Sequence, residues 1–87
     1  MRYSKKTLQE LETLLKELEY TLRYEKGNFQ SGYCFVEDKN IAVINRFYET
    51  DARINALVEI IGSIKPNDIE LSERSQKLLE EVYAKKS

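Results

Sequence analysis

Apolar positions recur along this chain with three different periods, and each change of period marks a new element. Leu8, Leu11, Leu15, Leu18 and Leu22 follow one another at alternating three- and four-residue steps, with Leu14 beside them. That spacing predicts an amphipathic helix from Ser4 or Thr7 to Glu19. Thr7 and Glu10 have capping-box spacing at its start. From Tyr20 to Lys26 the pattern alternates, with Tyr20, Leu22 and Tyr24 on one side and Thr21, Arg23 and Glu25 on the other. Gly27-Asn28 is a turn signal. Gly32 to Glu37 is aromatic and branched, as strands prefer. The polar tetrad Glu37-Asp38-Lys39-Asn40 suits a hairpin, and Ile41 to Phe47 reads as a third strand.

The helical period then returns. Thr50 or Asp51 can cap a second helix to Ile64, with Ile54, Leu57, Val58, Ile61 and Ile64 on its apolar face and Ile60 at the margin. Lys65-Pro66-Asn67-Asp68 stops it. A third helix starts at Ser72 and runs to Lys85, with Leu78, Leu79, Val82 and Tyr83 inward. The expected fold is one α+β domain over residues 1–87. Its order is α-β-β-β-α-α, with a three-stranded antiparallel meander packed against the helices.

The sheet departs from the usual one-sided pattern of antiparallel sheets. Ile41-Ala42-Val43-Ile44 is apolar on both sides, and Tyr33 and Phe35 alternate with Cys34 and Val36. Both faces therefore call for cover. The first two helices can cover one. The third helix or a second molecule would cover the other, and Tyr33, Phe35, Ile41 and Val43 are the candidate interface residues.

Composition narrows the chemistry. The 87 residues suffice for one domain, and a domain of this size buries only roughly 60–65% of its unfolded surface, so oligomerisation is a common source of added stability. A homo-oligomer or a protein partner is expected. With 14 basic and 15 acidic residues the net charge is −1, which disfavours nucleic acid unless the lysines of the two ends converge on one face. No apolar run approaches the roughly 18–20 residues of a membrane span, and the start lacks a signal-peptide core, so a cytoplasmic location is expected.

The chain has no histidine and a single cysteine, Cys34, so neither a structural zinc site nor a His-activated nucleophile can be assembled. No phosphate-binding loop, calcium loop or nucleophile elbow is present, and no cofactor, metal or catalytic residue is expected. Cys34 reads as a small core hydrophobe. Arg53 lies close to the apolar stripe of the second helix. It can run its stem along the sheet with its head in water, or hold an anionic ligand with Asn45, Arg46 and Glu59 in a pocket between sheet and helix.

Two resemblances rest on the middle of the chain. Tyr33-Cys34-Phe35, then Ile41-Ala42-Val43-Ile44-Asn45, then Arg53-Ile54-Asn55-Ala56-Leu57-Val58-Glu59-Ile60-Ile61-Gly62 is similar in layout to a truncated IrrE/ImmA-type zinc metallopeptidase domain. In that family the last helix carries H-E-x-x-H. Val58 and Gly62 stand at the two histidine positions and Glu59 at the general base, so the resemblance implies a metal-free, inactive relative. Gly27, Phe29, Gly32, Tyr33, Cys34, Asn45, Phe47, Tyr48, Arg53, Ile54 and Asn55 also resemble the pattern of a small uncharacterised bacterial protein family.

Overall fold

The computed structural model describes residues 1–26, 33–65 and 69–86; the side chains of residues 33–37 and 86 fall outside the described set. The first helix, α1 (Lys5–Glu17), is capped by Ser4, whose hydroxyl accepts the Thr7 N–H at 3.2 Å. Ser4 and not the Thr7–Glu10 pair is therefore the cap. The helix ends in a Schellman turn: Glu19 N–H donates to Lys16 O, Tyr20 N–H donates to Leu15 O, and Glu19 takes φ 68°. This reversal delivers the chain directly into β1 (Thr21–Glu25). Strand β2 (Tyr33–Val36) leads through a 3-10 turn over Glu37–Lys39 and Asn40, at φ 53°, into β3 (Ile41–Asn45). Helices α2 (Thr50–Gly62) and α3 (Glu73–Lys86) complete the order. The turn expected at Gly27-Asn28 and the Pro66-Asn67-Asp68 stop lie outside the described residues, and α2 ends at Gly62, before the proline.

The six elements occur in the expected order, but the sheet is not an antiparallel meander. Its strand order is β1-β3-β2; β3 pairs parallel with β1 and antiparallel with β2. The physical reason lies in the side chains. A central strand is flanked by neighbours on both edges and favours apolar residues on both faces. Ile41-Ala42-Val43-Ile44 meets that requirement best, whereas β1 alternates apolar with Thr21, Arg23 and Glu25 and suits an edge. Seven residues separate β1 from β2, more than the two-residue loop that would hold the two strands side by side.

All three helices lie on one side of the sheet. Ala42 and Ile44 are fully buried and share one cluster with Leu11, Leu14, Leu15, Leu57, Ile61 and Val82, with Leu22 and Tyr24 packed against it. Helix α1 packs on β1, α2 on β3, and α3 on α1 and α2. The third helix therefore does not cover the second face of the sheet. Its seat on α2 explains why that helix is buried almost all round: Ile54, Ala56, Leu57, Val58, Ile60 and Ile61 are buried, and Asp51, Asn55, Glu59 and Ser63 form a single exposed strip at four-residue spacing. Such a helix carries the centre of the core, and truncating Leu57 to Ala would cost on the order of 2–5 kcal/mol.

Candidate functional site

The most organised polar region is the corner where β3 turns into α2. The chain bends through residues 45–48, with Tyr48 N–H donating to Asn45 O at 3.0 Å and Phe47 N–H donating to Asn45 Oδ1 at 2.9 Å. The asparagine side chain thereby stabilises its own turn, the usual service of this residue type. Arg46 N–H continues the parallel ladder by donating to Glu25 O. One turn into α2, Arg53 reaches back: Nε donates to Tyr48 O and Nη2 to Arg46 O, both at 2.9 Å. Its guanidinium lies 4.3 Å from the centre of the Tyr24 ring. The Tyr24 hydroxyl donates in turn to Glu12 Oε2 on α1 at 2.5 Å. Burial, with the Glu12 carboxylate beside it, pushes the Tyr24 phenol well above its ordinary value, so it stays protonated as a donor.

A continuous Glu12–Tyr24–Arg53 connection thus joins α1, β1, α2 and the turn. Arg53 is a clamp on two backbone carbonyls, with its planar fork used as a pair of donors. The groove outside it, about 490 Å³, is lined by Tyr48, Glu49, Thr50, Asp51 and Arg53. Glu49 and Asp51 place two carboxylates there, which disfavours an anion. Of the four residues expected to form an anionic-ligand pocket, Asn45, Arg46 and Arg53 meet at this corner as structural partners. Glu59 does not join them, because six residues further along α2 it is turned about 240° away and exposed. The arginine was visible in the sequence; Tyr24 and Glu12 were not linked to it, since parallel pairing of β1 with β3 is what brings them close.

The four expected interface residues divide between two faces. In the antiparallel register Tyr33 and Phe35 stand opposite Ile44 and Ala42, which belong to the helix-covered face, whereas Cys34 and Val36 stand opposite Val43 and Ile41. The side chains of Tyr33, Cys34, Phe35 and Val36 lie outside the described residues. Ile41 and Val43 are half-buried on the outer face, beside the Arg23–Glu25 ion pair at 3.3 Å. Among the described elements none packs on this face.

A second polar cluster joins α1 to α3. Ser72 N–H, Ser72 Oγ and Ser75 Oγ all donate to the Glu17 carboxylate, at 2.8, 3.1 and 2.7 Å. Ser72 also caps α3 through Ser75 N–H. The Ser72 N–H and then the Ser75 hydroxyl hold the Glu17 carboxyl below the usual carboxylate range. This is a helix cap supplied by a neighbouring helix, and its donors are all engaged.

Among the described residues no group of three or more Cys, Asp or Glu is placed to hold a metal ion, and no helix is long and apolar enough to cross a membrane. The positions that resemble H-E-x-x-H fall on different sides of α2: Val58 is buried in the core, while Glu59 is exposed. The fold and its polar corner define a small α+β domain in which Asn45 and Arg53 serve the β3–α2 turn. The chain matches no family model, no curated protein and no solved structure.

Proposed function

We propose that this chain is a small, cytoplasmic, non-enzymatic protein-interaction domain that forms a homodimer through the outer face of its sheet. The observation that carries the reading is the central strand: Ile41 and Val43 point away from the helices, and no described element covers them. Apolar side chains on an uncovered sheet face favour association.

Charge favours a second copy as the occupant. A two-fold interface brings one patch against itself, so the patch must not carry a single sign. The outer face holds Arg23 and Glu25 as a neutral pair, and the whole chain carries only −1. Three short strands present a face of roughly 15 × 17 Å, or about 250 Å². A standard interface takes about 800 Å² from each partner. The sheet face alone is therefore the centre of a weak dimer, with a Kd in the micromolar range or above.

Sedimentation equilibrium between 10 μM and 1 mM tests this. The mean mass of the wild-type protein rises toward that of a dimer, and Val43→Asp holds it at the monomer mass with an unchanged circular dichroism spectrum. A wild-type monomer throughout, or a Val43→Asp variant that associates equally well, defeats the proposal.

A further inference from the structure

The two ends of the sequence are basic without acidic relief. Residues 1–9 hold Arg2, Lys5 and Lys6, and residues 82–87 hold Lys85 and Lys86, with no Asp or Glu in either stretch. That leaves nine of the 14 basic residues against all 15 acidic ones, a net −6. A net charge of −1 therefore conceals a strongly dipolar distribution.

The fold brings the two basic stretches together. Tyr3 donates its hydroxyl to Asn55 Oδ1 at 2.6 Å, and the Lys85 ammonium lies 4.6 Å from the centre of the Tyr3 ring. At the other end of the same helix pair, Glu17 holds Ser72 and Ser75. Helices α1 and α3 are thus antiparallel neighbours, about 20 Å long. The α1 start and the α3 finish form one pole with Arg2, Lys5, Lys6 and Lys85, all exposed. Glu17, Glu19, Glu70 and Glu73 sit at the other end. The separation exceeds two Debye lengths at physiological ionic strength, about 8 Å each, so the acidic end does not cancel the basic one.

Local stability explains only the α3 half of this arrangement, where Lys85 in the last turn suits the helix dipole. The first turn of α1 contains no acidic residue, although the helix dipole favours acids there. Basic residues at that position cost stability, and a local rule broken in this way is expected at functional or strained sites. Glu81, one turn before Lys85, and Asp51 and Glu59, either side of Asn55, border the pole. A partner must meet the end of the helix pair and not its flank. Among the described residues the only large apolar side chain exposed near it is Met1. The Tyr3 ring is taken by Lys85, so no base-stacking platform is offered. A surface of charge without an apolar anchor fits a partner that binds by charge alone.

We infer that this basic pole binds the phosphodiester backbone of nucleic acid, without sequence preference. Fluorescence anisotropy of a labelled 30-base-pair duplex tests it. Four phosphate contacts predict a salt slope near −3.6, hence about a 30-fold weakening between 20 and 50 mM NaCl. Lys5→Glu/Lys6→Glu abolishes binding. Lys16→Glu/Lys39→Glu, an equal charge reversal elsewhere, changes it less than about threefold. If the first variant loses helical signal, Lys5→Gln/Lys6→Gln carries the comparison. Absence of binding at 20 mM NaCl with 500 μM protein overturns the inference, as does equal loss in the two reversals. Labelled polyglutamate bound in place of the duplex overturns it too, and assigns the pole to acidic polypeptide.

Discussion

Removal of the Arg53 side chain is the sharpest test of how the β3–α2 corner is built. Arg53→Ala deletes two charge-assisted hydrogen bonds, to Tyr48 O and Arg46 O, and the cation–π contact with Tyr24. A hydrogen bond from a charged group contributes about 1.5–3 kcal/mol when shielded from water. The Arg46 carbonyl bond is exposed, so water replaces most of it, while the Tyr48 bond is partly buried and keeps most of its value. The ring contact adds about 0.5–1 kcal/mol. The expected loss is about 2–3 kcal/mol, or about 10–20 °C in Tm for a domain of this size. Arg53→Lys keeps the charge and the ring contact but not the fork, and should recover less than half of the loss. Urea unfolding followed by circular dichroism reads both. A double-mutant cycle with Tyr24→Leu isolates the ring term, with an expected coupling of about 0.5–1 kcal/mol. If Arg53→Ala unfolds within about 0.5 kcal/mol of wild type, the guanidinium is not a clamp and its place as a structural group falls.

Three further substitutions follow from the same geometry. Glu17 has a depressed carboxyl in the folded state, so its contribution is fully present above its ordinary value of 4.5 and is lost as pH falls through the folded value; Glu17→Gln should flatten the acid limb of stability in thermal melts between pH 2.5 and 6, and an unchanged limb would contradict the cap. Glu19 occupies the left-handed position of the α1 Schellman turn, so Glu19→Gly should stabilise the protein by about 0.5–1 kcal/mol in chemical denaturation, and a loss would show that the turn is not the one described. Phe47 is 65% exposed, with the Arg46 guanidinium 5.5 Å from its ring centre; Phe47→Ser should change unfolding free energy by less than about 0.5 kcal/mol, which thermal melts can check.

Element identity was legible because it depends on local spacing. The leucine seam of α1, the alternation of Thr21 to Glu25, and the cap at Ser72 each fixed an element within a few residues of its observed bounds. Strand order is a non-local property, and the meander rested on the habit of sequential strands to pair. A correcting signal was nevertheless present. Ile41-Ala42-Val43-Ile44 is the run best suited to lie between two neighbours, which makes β3 and not β2 the centre. The same holds for α2: Ala56 and Ile60 extend its apolar surface beyond the stripe needed for one contact, as a helix wedged between the sheet and two other helices requires.

Polar groups were harder to place, and the reason is physical. An arginine beside an apolar stripe has two outcomes that differ only in what it finds after folding. Here it finds two backbone carbonyls and a tyrosine ring, because β1 and β3 run side by side and bring Tyr24 under α2. A ligand site needs groups left over when the backbone has been served; at this corner Arg53 donates Nε and Nη2 to the turn, and Asn45 Oδ1 accepts from it. The basic ends behave in the opposite way. Arg2, Lys5 and Lys6 are separated from Lys85 by almost the whole chain, and the net charge averages them away. Antiparallel packing of α1 and α3, fixed by Glu17 at one end and by Tyr3 at the other, restores the pole. Charge that cancels in the total but not in space acts at distances below a Debye length. For this fold the spatial distribution of charge therefore says more about partners than its sum.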